Sequence, residues 1–203
     1  RFVVKLPVAT SQWRIKIRNW DINNTTKTAA TLKKLIFGVH ARQTATPAAE
    51  TGSFLGSAAT TIVATDQTIP GTSGTWYTGP WVTDPNDQFQ PNVEHLFGFG
   101  WTISPSTVVQ TGAGRSWHWT NSTSGPDPTV AGSGATQTYI PFDWVIEYEC
   151  TTRRKVYLVV GDAFYEGITG GNSSLSSTAL WRNAVNQWAA KHNALVVNVS
   201  LAG

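Results

Sequence analysis

Methionine is absent from the 203 residues, and cysteine occurs once, at Cys150. A single thiol excludes an intrachain disulfide and any metal site built from cysteines, so folding must rest on packing. Charge is also scarce, with 13% of residues Asp, Glu, Lys or Arg. The net charge of +3 arises from basic residues in short groups, Lys33-Lys34 and Arg153-Arg154-Lys155. These read as solvated ends of elements, and no nucleic-acid partner is expected. No apolar run approaches the ~20 residues of a membrane helix, and no charged-then-apolar leader opens the chain, so no membrane partner is expected. The four histidines, His40, His95, His118 and His192, lack metal-ligand spacing. Nor does a Gly-Lys-Ser/Thr follow Gly167, Gly170 and Gly171; neither a metal nor a cofactor is expected. The missing methionine leads to the expectation that Arg1 is not the natural start.

Apolar residues make up 40% of the chain, ample for a core, and the polar remainder is mainly Thr, Ser, Asn, Gln and Gly. Such charge-poor composition suits an extracellular or virion-surface protein. From Phe2 to about Glu149, short alternating or β-branched runs are separated by Gly, Pro, Asn and Ser clusters, which is an all-β pattern. In Trp13-Arg14-Ile15-Lys16-Ile17-Arg18, strand periodicity puts Trp13, Ile15 and Ile17 on one face and three cations on the other. Further strands are predicted at 2–6, 35–39, 60–63, 95–99, 116–119 and 144–148. Gly71-Thr72-Ser73-Gly74 and Gly125-Pro126-Asp127-Pro128 supply turn chemistry between them. Seven or so short strands predict a β-sandwich over residues 1–150.

The character changes after Cys150. Val156-Tyr157-Leu158-Val159-Val160 is an uninterrupted apolar run, the mark of a parallel strand covered on both faces. Ser176-Ser177-Thr178 can cap a helix whose Leu180, Trp181, Ala184, Val185, Trp188 and Ala189 form one apolar stripe. Lys191 and His192 fall in its last turn, and Asn193 is a plausible stop. A second buried strand follows at 194–199, so residues 151–203 read as β-α-β with a right-handed crossover. Two parallel strands and one helix cannot cover a sheet. The remaining strands are therefore expected from residues beyond Gly203 or from another chain.

After the first of these strands comes Gly161-Asp162-Ala163-Phe164-Tyr165-Glu166-Gly167, and Asn198-Val199-Ser200-Leu201-Ala202-Gly203 closes the second. These segments resemble the first and second blocks of the GDSL/SGNH hydrolases, in that order and at the corresponding topological places. The resemblance covers roughly fifty residues. It implies that 151–203 opens a flavodoxin-like α/β hydrolase domain, with the site beyond the carboxyl ends of the strands. In that family the serine of the first block attacks an ester carbonyl, and a histidine from a late Asp-x-x-His block takes its proton. Backbone amides and an asparagine hold the oxyanion. By resemblance, Ala163 stands at the nucleophile position and contributes an oxyanion amide, Gly203 offers a second amide, and Asp162 braces the loop. Alanine has no oxygen, and the blocks carrying the asparagine, aspartate and histidine lie outside the sequence. A replaced serine, a natural pseudoenzyme and a chance likeness on an ordinary α/β turn are the three origins open for Ala163. Whether the chain is an enzyme is left open with them.

Related carbohydrate esterases place a jelly-roll-like β-domain before the hydrolase. The resemblance thus implies an esterase or deacetylase acting on an acylated glycan or small ester. The alternative is a glycan-binding surface or phage-tail protein with a degenerate hydrolase scaffold. Ten tryptophans allow stacking on sugar rings, although most are expected in the core. Trp117 and Trp119 read as a core plug with His118 opposite. Trp76-Tyr77 and Trp81, in a Gly/Pro-rich stretch, are better placed for a loop-borne aromatic surface.

Overall fold

The computed structural model describes residues 1–20, 27–41, 52–102, 108–111, 116–118, 135–137, 140–153, 155–159, 188, 191–192 and 194–198. The chain opens with β1 (Phe2–Lys5), β2 (Thr10–Arg18) and β3 (Ala30–Val39), followed by the short β4 (Thr60–Val63), β5 (Gln67–Ile69) and β6 (Tyr77–Thr78). The long β7 (Glu94–Thr102) leads to β8 (Gln110–Thr111), β9 (Ser116–His118), β10 (Ala135–Gln137) and β11 (Ile140–Pro141). Last come β12 (Asp143–Cys150), β13 (Lys155–Val159) and β14 (Ala194–Asn198).

The fold is mainly β. A large sheet runs in the order β10-β9-β1-β7-β3-β4, with β5 also paired to β3, and a smaller one in the order β12-β2-β6. All of these pairings are antiparallel. The inner faces form one core. From the small sheet Trp13, Ile15 and Ile17 are at most 1% exposed, joined by the partly buried Trp144, Ile146 and Tyr148. From the large sheet come Phe2, Phe37 and Phe97. Rings meet across the gap: Trp13 lies 4.6 Å from Phe37 and 5.5 Å from Phe97, and Trp144 lies 5.0 Å from Phe2 and 4.9 Å from Phe99. Each such edge-to-face or tilted pair adds about 0.5–1.5 kcal/mol beyond the area it buries.

The large sheet is covered on its other face too. Ile36, Leu96 and Trp117 project there and meet Phe54 from the segment after β3. Gly38 permits this close approach, because a Cβ there would sit 2.6 Å from the Ala58 carbonyl oxygen. At one corner, the buried Asn19 staples three segments: its amide donates to Thr28 O, its side-chain oxygen accepts from Val109 N, and its backbone N donates to Pro70 O. The turn expected at Gly71–Gly74 is present, with Gly74 at φ +75°. Phe142 also has positive φ, +72°, where the chain bends from β11 into β12, and its ring is fully buried with an edge contact to Trp101.

β13 and β14 form a separate two-stranded parallel sheet, with Lys155 opposite Ala194 and Val159 opposite Asn198. Of the expected helix, Trp188 and Lys191 are described, both helical, and His192 N donates to Trp188 O at 2.9 Å. Most of the stretch expected to cover the sheet, 176–187, lies outside the described residues. Val156 and Leu158 stand 61% and 67% exposed, unlike the two-sided burial that their run predicts. The tetrapeptide 125–128 and Trp119 also lie outside the described residues.

Candidate functional site

Asp162, Ala163 and Gly203, the residues that the hydrolase resemblance singles out, lie outside the described residues, as do Gly161 and Gly167. The described strands establish where those segments begin. Val159 and Asn198 are partners in a parallel pair, so the chain leaves both strands at the same end of the sheet. One continuation carries Gly161-Asp162-Ala163 and the other leads to Gly203. Beside these strands, the Trp188 ring meets Tyr157 edge-on at 5.1 Å and tilts over His192 at 4.8 Å.

A second constellation is built on the outer face of the small sheet. Alternation along β2 sends Arg14, Lys16 and Arg18 outward. The antiparallel register with β12 places Glu147 opposite Arg14 and Asp143 opposite Arg18. Arg14 Nε donates to Glu147 Oε2 at 2.6 Å, and Lys16 Nζ lies 2.8 Å from the other carboxylate oxygen. Arg18 binds Asp143 Oδ2 at 2.7 Å. The hydrogen bonds from Lys16 and Arg14 hold the Glu147 carboxyl below the usual carboxylate range.

Tryptophans stack on the same guanidinium groups. Arg18 is 4.0 Å from the centre of the Trp76 ring and 4.3 Å from that of Trp20, and Arg14 is 4.5 Å from Trp81. The backbone explains why they arrive there. Trp13 and Val82 exchange both backbone hydrogen bonds, which pins Trp81 beside Arg14. Ile17 pairs with Tyr77, which pins Trp76 beside Arg18. Trp20 lies just past the end of β2 at Arg18. Tyr77 itself lies in β6 and packs on the core, so the loop-borne aromatic surface expected for Trp76-Tyr77 and Trp81 consists of the two tryptophans without the tyrosine. Trp20, Arg14 and Arg18 were not singled out as site residues from sequence. The signal that would have found the two arginines is the alternation of β2.

His40, Glu94, His95 and Ser116 are buried polar residues. His40 Nδ1 lies 3.1 Å from Glu94 Oε2 with both side chains buried. His95 stacks flat on Phe37 at 5.1 Å, and burial pushes its pKa below the ordinary value. Ser116 Oγ lies 3.0 Å from His118 Nε2, a spacing suited to a nucleophile and base, but Ser116 is 1% exposed and its hydroxyl has no access to a substrate. Trp117 is buried as expected of a plug, but beneath Phe54 on the other face of the large sheet and not in the core between the two sheets. Among the described residues, no three of His, Cys, Asp and Glu gather as a metal site would require. Compared with known proteins, the chain matches no family model and no curated protein.

Proposed function

We propose that the chain is the leading part of a GDSL/SGNH-type esterase or deacetylase, in which a jelly-roll-like β-sandwich brings an acylated glycan to an α/β hydrolase domain beginning after Cys150. The observation that supports this is the parallel, in-register β13–β14 pair, from whose adjacent ends the Gly161-Asp162-Ala163 and Gly203 segments depart. In the reaction so assigned, a serine at position 163 adds to the ester carbonyl as a histidine takes its proton. The amides of residues 163 and 203 receive the charge that develops on oxygen. Asp162 braces the loop. In that family a histidine and further strands complete the site. With Ala163 no acyl-enzyme bond can form, so the chain as it stands binds without turning over.

Ala163→Ser in the full polypeptide is expected to raise hydrolysis of p-nitrophenyl acetate by several orders of magnitude, because loss of a triad nucleophile costs on the order of a million-fold. No gain over the alanine form rejects the assignment. A second reading, a glycan-binding surface or tail protein that keeps a hydrolase scaffold for shape, is supported by the tryptophans stacked on the outer face of β2.

A further inference from the structure

We propose that the outer face of the β12-β2-β6 sheet is a binding site for an uncharged oligosaccharide, which stacks on the indoles of Trp76 and Trp81. The inference rests on the glycan part of the reading above and names its surface and ligand class.

The tryptophans divide by environment. Trp13 and Trp117 are buried and serve the two cores, whereas Trp81 is 39% exposed and Trp76 and Trp20 half-buried. The outward rings are held by guanidinium groups in place of apolar packing. A cation over one ring face restrains the indole at a cost of little exposed apolar area, worth about 0.5–1 kcal/mol at an exposed site. The rings are thus set in place before any ligand arrives, and preorganisation of this kind strengthens binding by reducing the entropy lost on association.

Charge selects the ligand class. Arg14 and Lys16 share Glu147, and Arg18 is paired with Asp143. A polyanion would have to displace carboxylates already at hydrogen-bond distance, and the three cations and two carboxylates of these pairs leave a net charge of only +1 to draw one in. A neutral sugar needs neither. Its apolar ring face suits an indole, and its hydroxyls suit the spare acceptor and donor positions of carboxylates and guanidinium groups fixed in known directions.

Spacing sets the ligand's length. Arg14 and Arg18 are four residues apart on one strand, about 13 Å along its backbone, and each carries one of the two rings. Two platforms that far apart bridge several rings of a chain, and a monosaccharide reaches only one. The same separation weighs against a protein partner. On this face, among the described residues, lie ion pairs and the exposed Val145, whereas the centre of a protein interface is depleted of charge.

The test is native electrophoresis of the Ala163 protein through gels containing soluble xylan, galactomannan or mixed-linkage glucan, with alginate and polygalacturonate as acidic controls, at low and high salt. Retardation by at least one neutral polymer is expected, with no loss at high salt. Trp81→Ala is expected to weaken it by about tenfold or more, as loss of an aromatic anchor does. Trp76→Ala should act likewise. Should that variant fail to fold by circular dichroism, Trp81→Ala decides alone, since its ring is the more exposed. Four results overturn the proposal: no retardation by any neutral polymer, retardation undiminished in Trp81→Ala, retardation only by acidic polymers at low salt, or self-association that Trp81→Ala abolishes. Ester cleavage plays no part in this assay. Activity restored by Ala163→Ser without retardation therefore rejects the surface and keeps the hydrolase, and the converse result does the reverse.

Discussion

The two faces of β2 put the same kinds of residue to opposite uses. Inward, Trp13 is 0% exposed, ringed by Phe37, Phe89 and Phe97, and its indole N–H donates to the Asp87 carbonyl at 2.7 Å. Outward, Trp81 leans on Arg14 with 39% of its surface exposed. One tryptophan holds two sheets together, and the other offers a platform. Chemistry does not distinguish them; strand parity does. A side chain on the inner face loses its water to aromatic neighbours, and one on the outer face finds only cations and solvent.

The largest expected effect lies on the inner face. Trp13→Ala removes a ring at the centre of the sandwich and leaves the Asp87 carbonyl without that donor. It should cost about 3–5 kcal/mol in the denaturant midpoint. A loss below about 1 kcal/mol would mean that the two sheets do not meet there.

An intermediate effect is expected at His95, which shares that core with Phe37 and Phe89. Burial lowers its pKa below the ordinary 6.5, partly opposed by the hydrogen bond to the Val93 carbonyl. As pH falls through 6.5 the unfolded chain takes up this proton before the folded one does. Stability is therefore whole above that value and declines from there down to the folded-state pKa. A single proton limits the contribution to the slope to at most about 1.4 kcal/mol per pH unit. His95→Phe should flatten the stability–pH curve between neutral and mildly acidic pH, whatever it does at pH 8. An unchanged slope would place the titrating group elsewhere.

The smallest effect belongs to the outer face. Trp81→Ala should shift thermal stability by no more than about 1 kcal/mol, because an exposed cation–π contact is all that it removes. A loss as large as that of Trp13→Ala would make Trp81 a core residue and erase the contrast between the faces.

Much of the fold was legible from local pattern. The alternation over 13–18 sets the inner and outer faces of β2, and strands expected at 2–6, 35–39, 95–99 and 144–148 fall within a residue or a few of β1, β3, β7 and β12. The short strands were not legible. β5, β6, β8, β10 and β11 have two or three residues each, too few for a period-two signal to show above composition. Their pairing depends on distant partners, such as Tyr77 with Ile17. The candidate sites were legible to different degrees. Asp162 and Ala163 in one segment, and Gly203 in another, were picked out through their resemblance to two family blocks, each a short run of consecutive residues. The Trp–Arg face was only half-seen, through Trp76 and Trp81, because its members come from four separate stretches.

The sequence by itself determined which residues of β2 seek the interior, that a turn falls at Gly71–Gly74, and that two apolar strands follow residue 150. Those properties depend on neighbours a few positions away. Only the tertiary structure decided that β2 lies between β12 and β6, which pairs Glu147 with Arg14 and Asp143 with Arg18 and sets Trp76 and Trp81 over the same cations. Strand pairing joins residues more than a hundred positions apart, and its register follows from packing the whole inner face at once.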